Sequence, residues 1–229
     1  MTTKPWDPLF RENPMLVRLL GLSPLLGASG SLAIALGLGL ATLVVIAVSA
    51  LLLAPLHGRL SRPLHLSAAL VVIATTTAGV DLWLRGFYYP LHQALGLYVP
   101  LIAVNGAVLL AGTQPGTERP ARAVVVDALA IGLGMLFALA LLGAARELLG
   151  HGTLLRDFEL LLGARAAGWE LRLAPAGYAF PLWSLPAGAF IAAGLLSALH
   201  RRLIPARTEA VAPVARVRVA AGIPDRPQS

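Results

Sequence analysis

Few side chains in this 229-residue sequence could carry chemistry, and the most unusual of them is Asp81. It lies late in an apolar run, where a carboxylate is costly in a bilayer unless it is paired or hydrated. Arg85 follows four residues later, at the spacing of neighbours on one helix face. The pair therefore predicts either an interfacial salt bridge or part of an ion or proton path.

Two further carboxylates stand at the ends of another apolar run. Asp127 lies near its start, where it could interact with the N-terminal helix dipole and with Arg122, or belong to an ion path. Glu147 lies near its end, where it could pair with the adjacent Arg146 or belong to an ion path. Asp81, Asp127 and Glu147 are the ion-path candidates.

Asn105 is an uncharged candidate. It precedes Gly106 in an apolar segment that also holds Pro100. A buried amide must find hydrogen-bond partners. Asn105 could therefore hold a break in a helix closed, or it could face a cofactor or an ion.

Several kinds of chemistry are excluded. The chain has no cysteine, so it can form no disulfide, no thiolate nucleophile and no iron–sulfur cluster held by its own sulfurs. Its five histidines are scattered and share no metal-ligand spacing, and no Ser/His/Asp set converges. We predict no catalytic residue, no metal site and no complete active site. The net charge of +7 is spread between uncharged runs, which argues against nucleic acid as a partner.

The elements that position these residues are predicted to be membrane helices. Hydrophobic residues make up 57% of the chain and charged residues only 13%, a composition that suits a bilayer. The 38 uncharged residues between Arg18 and His57 would form a helix of about 57 Å, too long for a hydrocarbon core of about 30 Å. The run is therefore expected to break at 27–31.

The sequence predicts an all-α polytopic protein with six apolar segments, of which the first and fourth are broken or half-length. The segments are 15–27, 32–53, 66–84, 89–110, 124–145 and 178–199. The longest loop is predicted at 146–172. Residues 1–14 form an N-terminal segment without signal-peptide features, 15–199 the membrane domain, and 200–229 a basic, disordered tail. Lys and Arg number 13 on the side of both termini and five on the other, which places both termini in the cytoplasm.

The two halves carry a weak internal repeat. Ala35-Leu-Gly-Leu-Gly-Leu-Ala41 is echoed by Ala130-Ile-Gly-Leu-Gly-Met-Leu136. Because each half has three segments, the halves would be inverted, and the broken segments would meet near the midplane. The Gly-x-Gly pairs themselves predict close helix packing and not a dinucleotide site.

Six blocks in order carry a resemblance to a known family. They are Gly21-Leu-Ser-Pro-Leu-Leu26, Ala35 to Thr42, Leu95 to Ile102 with Asn105, Ile131 to Met135, Arg146-Glu-Leu-Leu-Gly-His-Gly-Thr-Leu154, and Leu185 to Phe190. Over about 13–199 the chain resembles the RnfE/NqrD branch of the NqrDE/RnfAE membrane proteins, which includes the E subunit of Rnf-type complexes.

The resemblance implies a six-helix, inverted-repeat component of the bacterial inner membrane. It implies a complex with the A, B, C, D and G subunits of the Rnf type, in which the A subunit is the paralogous partner. Such a complex couples electron transfer between NADH and ferredoxin to the movement of Na⁺ or H⁺. In the family, each paralogue supplies two cysteines to a two-iron two-sulfur cluster at the midplane.

The positions that match those cysteines are Ser23 and Gly106. Serine oxygen is a poor substitute for thiolate, and glycine has no side chain. Three explanations stay open: a complex that has lost this carrier, a cluster completed by another protein of the complex, or a chain that keeps only the scaffold. We expect the loss of the cluster. A six-helix solute-binding or transport protein is the alternative function.

Overall fold

The computed structural model describes residues 13, 15–17, 26–56, 61–112, 121–166, 168–175 and 180–204. Ser23, most of the N-terminal segment 1–14 and the tail beyond residue 204 lie outside these ranges, so the predictions made for them stay predictions.

The described chain is mostly helical. Its α-helices are α1 Leu32–Leu53, α2 Arg62–Phe87, α3 Tyr89–Leu95, α4 Gly106–Gly112, α5 Ala121–His151, α6 Glu159–Leu162, α7 Pro181–Ser184 and α8 Pro186–Leu203. Single 3₁₀ turns occupy Ala54–Leu56, Gly96–Tyr98, Pro100–Val104 and Gly163–Ala166. Two short strands, β1 Thr153–Leu154 and β2 Leu171–Arg172, pair antiparallel with Thr153 opposite Arg172.

Within the described ranges, three helices are long and apolar enough to cross a membrane, at 32–56, 64–87 and 122–151. A fourth span is counted if the two pieces 89–104 and 106–112, which meet at a 44° bend, are taken together. The sixth predicted segment begins later than expected, because Leu185 is extended and separates α7 from α8. The last turn of α8 carries His200, Arg201 and Arg202.

Helix α1 begins where the sequence predicts. Residues 26–28 are helical and 29–31 are not, so the long uncharged run is interrupted at the expected place. Ser31 is extended and its Oγ accepts a hydrogen bond from the Ile34 amide at 3.4 Å, which caps the new helix.

The central packing unit is the antiparallel pair α1 and α5. A Cβ built on Gly39 would lie 2.5 Å from Leu136 Cδ1 and 3.3 Å from Leu136 Cα, and one built on Gly132 would lie 2.7 Å from Leu43 Cδ1. The repeated glycines therefore let the two backbones approach closely, which confirms the packing interpretation of the Gly-x-Gly pairs.

Helix α5 separates two apolar cores. On one side it packs with α1, α2 and the bent segment, and on the other with residues 15–16 and α8. Of the three candidate spans, α2 is the most peripheral, since only 17% of its most apolar 18-residue stretch is buried, against 56% for α1 and 50% for α5. A groove of about 860 Å³ runs between α1 and α2. Its Thr75 and Thr76 hydroxyls donate to carbonyls of their own helix, so the groove is essentially apolar.

Candidate functional site

The fourth segment is broken at the predicted residue. Asn105 is extended and 2% exposed, and it separates the 3₁₀ turn Pro100–Val104 from α4. Its Oδ1 accepts from the Ala107 amide at 2.9 Å, so the side chain caps α4. The backbone N–H of Asn105 donates to the Ile102 carbonyl at 3.2 Å. Asn105 therefore satisfies both backbone ends of the break, and Gly106 is the first residue of the new helix.

A second buried asparagine, Asn13, caps the turn at residues 15–17. Its Oδ1 accepts from the Met15 and Leu16 amides at 3.0 and 3.2 Å. Its Nδ2 donates to the Gly134 carbonyl at 2.8 Å, and Asn105 Nδ2 lies 4.0 Å from Met135 Sδ. The two asparagines thus converge on successive residues of α5. Asn13 was not among the predicted site residues, because its only signal was a lone amide at the edge of the first apolar segment.

Arg146 forms the most extensive polar contact in the described chain. It is 3% exposed, and its five N–H groups donate to five oxygens. Nη1 reaches the Leu26 carbonyl at 3.1 Å and Ser29 Oγ at 2.7 Å. Nε reaches the Trp183 carbonyl at 3.0 Å, and Nη2 reaches the carbonyls of Ser184 and Leu185 at 3.1 and 3.2 Å. One guanidinium therefore joins the end of the first segment to the break between α7 and α8.

Glu147 is fully buried and binds different elements. Its Oε2 accepts from the Leu32 amide at 2.8 Å, at the first residue of α1. Its Oε1 accepts from the Arg156 amide at 2.8 Å, between two residues with positive φ, Leu155 at 65° and Asp157 at 63°. The carboxylate therefore caps α1 and also holds a strained turn of the loop after α5 in place.

These contacts correct two expectations. The loop predicted from residue 146 is wrong at its start, because α5 continues to His151 and Gly152, at φ +67°, follows it. The interpretation of Glu147 as a partner of Arg146 is also wrong: the hydrogen bonds of the two side chains go to separate elements. Helix α5 continues past Arg146 and Glu147, because groups from distant parts of the sequence supply hydrogen-bond partners for both side chains.

Asp81 belongs to a cluster of side chains between α2 and α3, near the start of the bent segment. Its Oδ2 is 3.0 Å from Arg85 Nη2, so the predicted salt bridge is present. Its Oδ1 is 2.9 Å from His92 Nε2, on α3. His92 was not predicted as a site residue, because the contact requires the turn at Tyr88 that places α3 against α2.

The remaining candidates are less informative. Asp127 is half-buried in the second turn of α5, and Ser23 lies outside the described residues. Within the described ranges, no group of three or more His, Asp or Glu side chains is placed to hold a metal ion. The structure therefore brings Asn105 into contact with α5, with Gly106 next to it in the chain, and places Asp81 and Glu147 in two separate clusters.

Comparison with known proteins identifies the family. The model for the Rnf-Nqr subunits, described as membrane proteins, matches residues 2–197. The chain belongs to the Rnf-Nqr family. The E subunit of the ion-translocating oxidoreductase complex from Pseudomonas paraeruginosa is 41% identical over 223 residues, which cover 97% of this chain and 91% of that protein. Proteins of the same name from Thioalkalivibrio sulfidiphilus and Pasteurella multocida are each 38% identical, over 87% and 90% of this chain and 87% and 91% of their own lengths.

The residues present do not fit the iron–sulfur cluster that the family resemblance implies. The whole chain contains no cysteine, and Gly106 presents no side chain at all. The neighbouring Asn105 uses its Oδ1 to cap α4, and an amide is a poor ligand for iron in such a cluster. We therefore derive no electron-transfer step through this chain.

Proposed function

We propose that this chain is the E subunit of an ion-translocating oxidoreductase complex of the bacterial inner membrane. The near full-length similarity to proteins of that name supports the proposal. The single structural observation that carries it is the buried break at Asn105, because irregular backbone at membrane depth is tolerated only inside protein or beside a cavity. Such breaks are typical of proteins that move ions.

The proposed architecture has six segments in two inverted halves, with both termini in the cytoplasm. The antiparallel packing of α1 on α5 through Gly39 and Gly132 supports it, since an in-plane two-fold axis relates such helices head to tail. The convergence of Asn13 and Asn105 on α5 supports a common role for the two broken segments.

The chain is proposed to act with its paralogue, the A subunit, and with the B, C, D and G subunits, and not to perform chemistry alone. Among the ion-path candidates, Asp81 is placed first because its carboxylate contacts two ionisable side chains, one of which, Arg85, is exposed. Glu147 is placed behind it, because both of its oxygens already accept backbone N–H groups. Asp127 stays a candidate near the cytoplasmic start of α5.

We propose further that the two-iron two-sulfur cluster is lost from this complex. A cluster completed by another protein of the complex would need ligands to reach a buried site with the affinity of sulfur. A scaffold protein without an electron path is the remaining alternative.

Co-purification with the paralogue tests both proposals. A tag on this chain is expected to recover the A, D and G subunits from membranes in which all of them are expressed. Recovery of this chain without those three proteins would contradict the assignment. Iron and acid-labile sulfide in the purified pair are expected to be absent. A low-temperature EPR signal from a reduced two-iron cluster would contradict the loss of the carrier.

The alternative, a solute-binding protein, makes a different prediction. Such a protein should retain a small molecule when it is purified alone and should be stable without a paralogue. The groove between α1 and α2 gives it little support, because its two threonine hydroxyls already donate within their own helix. Only an apolar molecule would match that lining.

A further inference from the structure

The cluster of Asp81, Arg85 and His92 contains a hydrogen-bonding conflict. His92 Nε2 lies 2.9 Å from Asp81 Oδ1, an acceptor, and 3.2 Å from Arg85 Nε, which donates to it. An imidazole nitrogen carries either an N–H or one lone pair in the ring plane, so it cannot donate and accept at once. Only one of the two contacts can be a hydrogen bond in any protonation state.

The position of the proton decides which contact is made. With a proton on Nε2, the ring donates to Asp81, and Arg85 Nε faces an N–H that it must avoid. Without that proton, Nε2 accepts from Arg85 Nε, and its lone pair faces the Asp81 carboxylate. Asp81 then keeps its contact with Arg85 Nη2 at 3.0 Å. In each arrangement one of the two contacts is a hydrogen bond and the other is repulsive, so the two arrangements exclude each other.

We propose that His92 is a proton-binding site that switches the connection between α2 and α3. The protonated ring binds Asp81 and ties α3 directly to the nearly buried carboxylate of α2. The ring without a proton on Nε2 binds only Arg85. No other bond forms or breaks: the proton comes from water at the rim and returns to it.

The surroundings favour His92 as the group that responds. The side chains of Asp81 and His92 are 13% and 15% exposed, whereas that of Arg85 is 56% exposed and can move into solvent. Imidazole is the side chain whose charge changes most readily between about pH 5 and 8.

No competing charge comes from α1, which is packed against α3 and carries no ionisable residue. The other elements in contact with α3 contribute Glu159 of α6, which is exposed, and Tyr98 of the following 3₁₀ turn. Tyr88 and Tyr89 lie at the junction of α2 and α3 itself. In the described chain, Asp81 and Arg85 are thus the charged groups in contact with the ring.

The location gives the switch a consequence. Helix α3 is the first part of the bent segment, which breaks at Asn105, so its attachment to α2 sets where that segment is anchored. That this anchor faces the outside of the cell depends on the proposed topology. The switch itself rests only on contacts within the chain.

The experiment is ¹⁵N NMR of the histidine side chains in the full chain, reconstituted in lipid nanodiscs, between about pH 5 and 8.5. The chemical shift shows whether a ring nitrogen carries a proton, and the signal lost in His92→Gln assigns His92. In the wild-type chain, Nε2 is expected to be protonated at low pH and bare at high pH. Nε2 that keeps its proton over the whole range would overturn the proposal.

Arg85→Gln is the decisive variant, because it removes the donor that stabilises the bare nitrogen while leaving Asp81 in place. In this variant, Nε2 is expected to stay protonated at high pH. A bare nitrogen at high pH in Arg85→Gln would also overturn the proposal. His151, half-buried at the end of α5 with an Nδ1 that has no hydrogen-bond partner in the described chain, is the matched control. Its signal should be the same in both proteins.

The NMR test does not use the activity of the complex. Failure of the chain to co-purify with its paralogue would contradict the proposed function and leave the proton switch standing. A histidine that does not change its protonated nitrogen would contradict the switch alone.

Discussion

Replacing Arg146 with lysine should destabilise the chain although it keeps the charge. The guanidinium places five donors on three nitrogens, and all five are used. Lysine has three donors on one nitrogen. It cannot reach the carbonyl of Leu26 and the three carbonyls of 183–185 together, because these lie on different elements.

The magnitude follows from the number of lost bonds. At least two of the five acceptors lose their donor, and a buried hydrogen bond to a charged group contributes about 1.5–3 kcal/mol. The free energy of unfolding of Arg146→Lys should therefore fall by about 3 kcal/mol or more, which is a change of about a hundredfold in the unfolding constant.

Reversible unfolding of the purified chain by SDS in mixed micelles, followed by circular dichroism, measures this change. Arg201→Lys is the matched control, since Arg201 is exposed and makes one bond to the Val17 carbonyl at 3.3 Å. The control should stay within about 0.5 kcal/mol of the wild type. If Arg146→Lys also stays within that range, the five hydrogen bonds do not stabilise the fold and the expected loss is refuted.

Four other substitutions, of which Gly79→Ala is a control, test separate parts of the structure. Gly39→Ala should lower the free energy of unfolding by about 1–3 kcal/mol, because the new Cβ would meet Leu136. Gly79→Ala is the control, since a Cβ there has nothing within 4 Å, and it should stabilise α2 by about 0.5–1 kcal/mol. Equal melting temperatures of the two variants would contradict the close packing of α1 on α5. Glu147→Gln should cost about 1–3 kcal/mol in the same SDS titration, because an amide has one acceptor oxygen for two N–H donors; an unchanged midpoint would count against the cap on α1. Asn105→Leu should remove the cap of α4 and cost about 1 kcal/mol, seen as faster amide hydrogen exchange in α4 only; unchanged exchange there would show that the cap is not needed.

The local features of this fold could be predicted from the sequence. The start of α1 follows from a run that is too long for one span and contains Gly and Ser. The break at Asn105 follows from a buried amide beside glycine, and the Asp81 to Arg85 pair follows from helical spacing. Each of these depends on residues that are close together along the chain.

The features that depend on distant residues could not be predicted. Arg146 and Glu147 looked like the start of a polar loop, because charge inside a span is normally unfavourable. Their partners stand up to 120 residues away, at Leu26, and no spacing rule connects them. The interruption of the last predicted segment likewise depends on the extended backbone at Leu185, where α7 ends and α8 begins.

The contacts of Arg146 also constrain the order in which the chain can be assembled. During synthesis α5 emerges before α7 and α8, so the guanidinium enters the bilayer before the three carbonyls of 183–185 exist. By translocon-based scales an arginine costs about 2.5–3.5 kcal/mol at the centre of a span, and less near the end of a span, where Arg146 lies. Until residues 183–185 arrive, the guanidinium has only the oxygens of Leu26 and Ser29 as partners, so three of its five hydrogen bonds wait for the last part of the membrane domain.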